Sequence, residues 1–131
     1  MALTYSNTIA NARLDTVEST IGTAPTLNIR TGAPPSTADS AATGTVLAAC
    51  TLPSDWMAAA SSRTKAKSGT WEDTSANATG TAGHFEIVGS GGTMRGTVTA
   101  TGGGGDMTVD STSFTAGQAF TVTSFTLTAG N

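Results

Sequence analysis

The stretch HFEIVGSGGTMRGTV, residues 84 to 98, decides the fold. Apolar and polar residues alternate on both sides of a glycine-rich centre, the pattern of a β-hairpin. With Gly89 to Gly92 as a four-residue loop, Ile87 lies opposite Met94, Glu86 opposite Arg95, and Phe85 opposite Gly96. One face then holds Phe85, Ile87, Met94 and Val98, and the Phe85 ring covers the bare glycine across from it. The other face, with His84, Glu86, Arg95 and Thr97, is expected to meet water. There the Glu86 and Arg95 pair is worth about a few tenths of a kcal/mol.

The same alternation recurs on either side of the hairpin. TLNIR (26 to 30) reads as a strand, VLAACTL (46 to 52) as a strand buried on both faces, and MTV (107 to 109) as a short one. In AFTVTSFTLTAGN, residues 119 to 131, Phe120 and Val122 share one parity while Phe125 and Leu127 take the other. An extra residue at Ser124-Phe125, a β-bulge, restores one apolar face; a strand crossing from one sheet to another does the same. The threonines line the remaining face, where β-branched side chains suit a pleated surface.

Only residues 6 to 22, SNTIANARLDTVESTIG, follow a helical period. Ala10, Leu14, Val17 and Ile21 form a stripe, with Asn11, Asp15 and Glu18 facing elsewhere; Ser6 or Asn7 supplies the N-cap and Gly22 the exit. The stripe is expected to cover an end or edge of the sheet. Residues 31 to 45 are a long loop, since Pro34 and Pro35 bar regular structure, and loops of this length are usually functional or disordered. The expected architecture is a single mainly-β domain over residues 1 to 131, a β-sandwich or jelly-roll-like barrel of about seven to nine short strands with one N-terminal α-helix.

Composition narrows the function. Charged residues are 11% of the chain, against about 25% in ordinary soluble domains. A net charge of −3 gives no basic footprint for nucleic acid. Half of the six basic residues, Arg63, Lys65 and Lys67, fall in SSRTKAK at alternate positions, so an extended segment puts them on one face. Such a stripe either guards a sheet edge against unwanted pairing or contacts an acidic patch on a partner. The opening MALTYSNTIANARLD has neither the basic start nor the apolar core of a secretory signal, and no apolar run is long enough for a membrane helix. Synthesis in the cytoplasm is the expectation.

Motifs for chemistry are weak. Cys50, the single cysteine, sits in an apolar run and reads as a buried, inert thiol. His84 is the single histidine and nothing in the hairpin register orients it for catalysis. Gly102 to Gly105 with Asp106 matches neither a P-loop nor a tandem calcium repeat, and reads as a flexible connection. Glu72 and Asp73 face opposite ways in a strand, so they make no acid and base pair. Trp56 and Trp71 are core filling or, as the alternative, a sugar-stacking platform. No catalytic residue, metal site or cofactor is expected.

Three segments, MALTYSNTIANARLDTVESTIG, GTVLAACTLP and TSFTAGQAFTVTSFTLTAGN, together resemble small virion structural proteins of tailed bacteriophages and prophages. The resemblance spans most of the chain and carries no catalytic signature. It implies a non-enzymatic protein made in the cytoplasm of an infected bacterium. Its expected place is the capsid surface, as a head decoration or cement protein, dimeric or trimeric, bound to major capsid protein. Neck, collar or tail attachment, or a carbohydrate- or receptor-binding module, are the alternatives, and no contact residue is carried over.

Overall fold

The computed structural model describes residues 3–129. The helix α1 (Asn7–Ile21) forms where the period predicts it. Ser6 Oγ accepts from the Ile9 N–H at 3.3 Å, and Gly22, at φ 104°, ends the helix while its N–H donates to the Glu18 carbonyl. Ala10, Leu14 and Ile21 are buried, and Val17 packs partly buried against the core.

Among the described residues nine strands follow: β1 (Thr26–Thr31), β2 (Val46–Thr51), β3 (Thr64–Ala66), β4 (Glu72–Asp73), β5 (Gly80–Val88), β6 (Thr93–Ala100), β7 (Met107–Val109), β8 (Ser113–Phe114) and β9 (Phe120–Thr128). They form one curled, half-barrel sheet in the order β2-β1-β5-β6-β7-β9-β3, with β4 also on β9 and β8 also on β5. The mainly-β architecture with one N-terminal helix is therefore as expected. Its hollow holds the apolar core, where Trp71 stands 6.0 Å from Trp56 and 5.5 Å from Phe125, and Phe125 meets Phe85 edge-on at 5.4 Å.

The hairpin of β5 and β6 has the predicted register: Ile87 opposite Met94, Glu86 opposite Arg95, Phe85 opposite Gly96. β9 bulges one residue earlier than expected. Val122 pairs with Val109 but Ser124 pairs with Thr108, which leaves Thr123 as the extra residue. Thr108 Oγ1 lies 2.8 Å from Thr123 Oγ1 and 2.6 Å from Ser124 Oγ, so hydroxyls fix the irregularity. Phe120, Val122 and Phe125 all reach the core. β9 is also the hub of the sheet, pairing with β7 along one edge and with β4 and β3 along the other.

β6 and β7 run parallel although only residues 101–106 join them, where parallel neighbours ordinarily need a dozen or more. The short path works because β7 begins opposite Val98, so the chain backs up only slightly, folding over Thr99 as it returns. The Gly103 N–H donates to the Ala100 carbonyl at 2.9 Å, and the Gly105 N–H to Thr99 Oγ1 at 3.1 Å. A Cβ on Gly103 would fall 2.5 Å from Thr99 Oγ1. Within the glycine run, expected as a flexible connection, Gly103 and Gly105 are thus packed close against Thr99 while Gly102 and Gly104 stay open.

One expectation is overturned. Most of the polar face of the hairpin does not meet water: His84 is 0% and Glu86 3% exposed, while Thr97 stays exposed. Residues 32–45 fold back across it. His84 Nδ1 donates to the Gly32 carbonyl at 2.9 Å, and Arg95 Nη1 donates to the carbonyls of Thr37, Ala38 and Ser40 at 3.1, 3.1 and 2.7 Å. Glu86 sits beneath, accepting from Asn28, from Arg30 at 2.9 Å, and from two nitrogens of Arg95 at 3.2 and 3.1 Å. The pair placed at an exposed site is the centre of a buried network.

Candidate partner-contact surface

The stripe Arg63, Lys65, Lys67 is dismantled by the structure. Ser62 and Arg63 both have positive φ, 51° and 65°, and form a two-residue turn between Ser61 and Thr64, whose backbones exchange two 2.9 Å hydrogen bonds. This is the turn that suits the twist of a hairpin, built here without glycine. Arg63 therefore leaves the extended line. Its backbone N–H donates to Asn11 Oδ1 and its Nε to Asn7 Oδ1, each at 2.9 Å, and its Nη2 donates to the Tyr5 carbonyl.

Lys65 is corrected most sharply. It is 2% exposed, and its ammonium lies 2.7 Å from Asp15 Oδ1, 2.7 Å from Glu18 Oε2 and 2.8 Å from the Ala58 carbonyl. Burial works against its charge, but the hydrogen bonds it donates to Asp15 and Glu18 outweigh that and raise its pKa. Hydrogen bonds from Lys65, then from the Ala60 N–H, lower the Asp15 carboxyl. Lys67 donates to the Gly69 carbonyl at 2.9 Å, its ammonium 5.9 Å from the Trp71 ring centre.

The missed residues are Asn7, Asn11, Asp15 and Glu18 of α1. By sequence Asn11, Asp15 and Glu18 only face away from the apolar stripe and Asn7 is a cap candidate, yet they dock the helix onto residues 57 to 65: the Met57 N–H donates to Glu18 Oε1 and the Ala60 N–H to Asp15 Oδ1. The signal was present in their spacing, which places four acceptors along one line of the helix beside the apolar stripe.

The remaining chemical candidates resolve as structure. Trp56 and Trp71 are 0% exposed; their indole N–H groups donate to the carbonyls of Gly22 and Ser68. They are core, and no sugar can stack on them. Burial, then the charges of Asp73 and Glu72, push the Cys50 thiol up to about 11, which keeps it protonated and inert. Asp106 caps the Thr97 N–H and hydroxyl at 2.9 and 3.0 Å. His84 Nε2 is buried and has no hydrogen-bond partner among the described residues. No group of three or more potential metal ligands occurs among the described residues.

What the surface offers is mostly hydroxyl and backbone, with exposed carboxylates at Asp39, Asp55, Glu72, Asp106 and Asp110. The remaining basic residues are also used within the chain: Arg30 and Arg95 on Glu86, and Arg13 over the Tyr5 ring at 5.1 Å. Concavities interrupt this surface. One, of about 400 Å³, opens between β6 and β9 over Phe85 and Phe125. Another, about 520 Å³ and shallower, runs between α1 and the hairpin, lined by Val17, Ile21 and Met94 among others. No family model matches the chain, and neither a curated protein nor a solved structure matches it.

Proposed function

We propose that this protein is a non-enzymatic structural component of a bacteriophage particle, a capsid decoration or cement protein that forms dimers or trimers and binds major capsid protein on the virion surface. One observation carries the geometric side of this reading: all six basic side chains are engaged within the chain and only 11% of its residues are charged, so the outside offers threonine and serine hydroxyls and scattered carboxylates but few free cations. Burying such a surface against a neighbour costs less than stripping water from free lysines and glutamates, and interface centres are depleted in charge. Repeated attachment on one particle then adds weak contacts through effective concentration. The resemblance of the three sequence segments supports the choice of particle. The sugar-binding alternative loses its main support with both tryptophans in the core.

The test is to add the tagged protein to empty heads and image the particles by electron microscopy. Saturable, regularly spaced attachment on capsid faces is expected. Density at the neck or tail instead would move the protein on the particle, and failure to bind any particle component would end the virion reading.

A further inference from the structure

The concavity between β6 and β9 is a missing length of strand. β7 lies between these two strands but is only three residues long: its pairing with β6 starts at Val98, and its pairing with β9 ends at Phe125. Beyond that point Met94 and Arg95 of β6 and Phe125 to Thr128 of β9 line the notch, with Asp106 at its edge and no strand of the described residues between them. Two strands separated by one lane of sheet stand about 9–10 Å apart, the width an inserted strand fills.

The backbone on both sides is aimed into this lane. The Thr97 N–H points towards β7, where Asp106 caps it. Side-to-side alternation turns the N–H and C=O groups of Arg95 and Thr93 the same way. On β9, the Phe125 carbonyl accepts from Lys67 and the Ala129 N–H donates to Arg63, both on the β3 side. Thr126 and Thr128 therefore present their groups to the notch. The floor is apolar, Phe85 and Phe125 in edge contact, flanked by Met94 and Leu127. At the rim, Arg95 is taken up by Glu86 and loop carbonyls, and the Asp106 carboxylate accepts from the Thr97 N–H and hydroxyl.

We propose that this notch binds an extended, uncharged segment of a partner protein as an added strand, in line with β7. Backbone hydrogen bonds to Thr93 and Arg95 on one side and to Thr126 and Thr128 on the other hold it, and its alternate aliphatic side chains rest on Phe85 and Phe125. A second copy of this chain is the poorer occupant. Its strands are already paired in its own sheet, and its long unpaired segment, 32–45, contains Pro34 and Pro35 and is pinned by Arg95. The notch takes such a strand whatever assembly the protein belongs to.

The probe is a capped seven-residue peptide alternating threonine and valine, titrated into the isotope-labelled protein and followed by amide NMR. The expected result is shifts and slowed hydrogen exchange concentrated at Thr93, Arg95, Thr126 and Thr128. Methylating the peptide nitrogens at alternate positions should weaken binding at least tenfold, because it deletes donors while keeping the side chains. Thr128→Pro, near the end of β9, should weaken it severalfold while the exchange protection of the β3 and β9 pair is retained. Shifts centred elsewhere, equal binding by the methylated peptide, or probe-independent self-association that protects the same four amides would each overturn the proposal.

Discussion

Two buried charge clusters hold the parts of this molecule that are not sheet, and they are inverses of one another. In the loop cluster one anion, Glu86, lies between two cations, Arg30 and Arg95; in the helix cluster one cation, Lys65, lies between two anions, Asp15 and Glu18. Neither balances by itself, and the backbone absorbs each surplus. The extra positive charge is taken up by carbonyls, those of Thr37, Ala38 and Ser40 on Arg95 and of Gly44 on Arg30. The extra negative charge is taken up by amides, those of Met57 and Ala60. The surplus helps tie down the chain segment: each unbalanced charge adds charge-assisted hydrogen bonds to the backbone of residues 37 to 40 or 57 to 60.

Depth separates the two. Glu86 and Arg95 side chains are 4% and 8% exposed, whereas Asp15 is 50% exposed and its attraction to Lys65 is partly screened by water. The largest expected effect is therefore at Glu86. Glu86→Gln strands two buried guanidinium groups and should cost about 3–5 kcal/mol in chemical denaturation, with protease cleavage appearing first within residues 32–45. Lys65→Met should cost less, about 2 kcal/mol, because both carboxylates it abandons can turn to water; cleavage should then appear at residues 57–63. Equal losses, or cleavage at the same site in both variants, would break the distinction.

The hairpin that anchors the loop cluster was legible in the sequence down to its register, because alternation and a glycine-rich turn are local signals. What covers its polar face was not. Residues 32–45 lie far from residues 84–98 in sequence, and a polar row beneath a loop looks the same as a polar row beneath water. The helix gave a similar lesson: its bounds, cap and apolar stripe follow from Ser6, Gly22 and the period, but Asn7, Asn11, Asp15 and Glu18 acquire partners only in three dimensions. Arg63 and Lys65 were misplaced because Ser62-Arg63 lacks the glycine that ordinarily marks such a turn. The short lane beside β7 had no sequence signal at all, since it is defined by where pairing stops.

Titration sharpens the comparison further. Burial works against the Glu86 anion, but hydrogen bonds from Arg30, Arg95 and Asn28 outweigh it and lower its pKa, and Asp15 is lowered as well. For groups depressed on folding, the stability they contribute is present above the unfolded value, about 4, and is lost as pH falls through the folded one; acid should loosen both clusters. Lys65 is raised, so its contribution is complete below about 10.4 and is lost as pH rises through its folded value. Arginine does not titrate in that range. Alkali should thus free the helix seam and leave the loop pinned, a difference that amide-resolved denaturation reads directly; simultaneous loss of both would refute it.

The smallest effect lies at the start of the helix, where Ser6→Ala removes one exposed cap bond of 3.3 Å. About 0.5–1 kcal/mol is expected, seen as fraying of the first turn in hydrogen exchange with the Lys65 cluster undisturbed.

The hub position of β9 has a bearing on biosynthesis. β3 and β4 find their strand partner, and β7 its second one, only once residues 120–128 have left the ribosome, and the contact from Lys65 to Leu127 spans nearly half of the polypeptide. Until then the nascent chain can set up the β1, β5 and β6 meander but must carry Trp56, Trp71 and Phe85 without their lid. Closure is a single late event, and a cell making many copies depends on chaperones or rapid release to keep the half-built sheets apart.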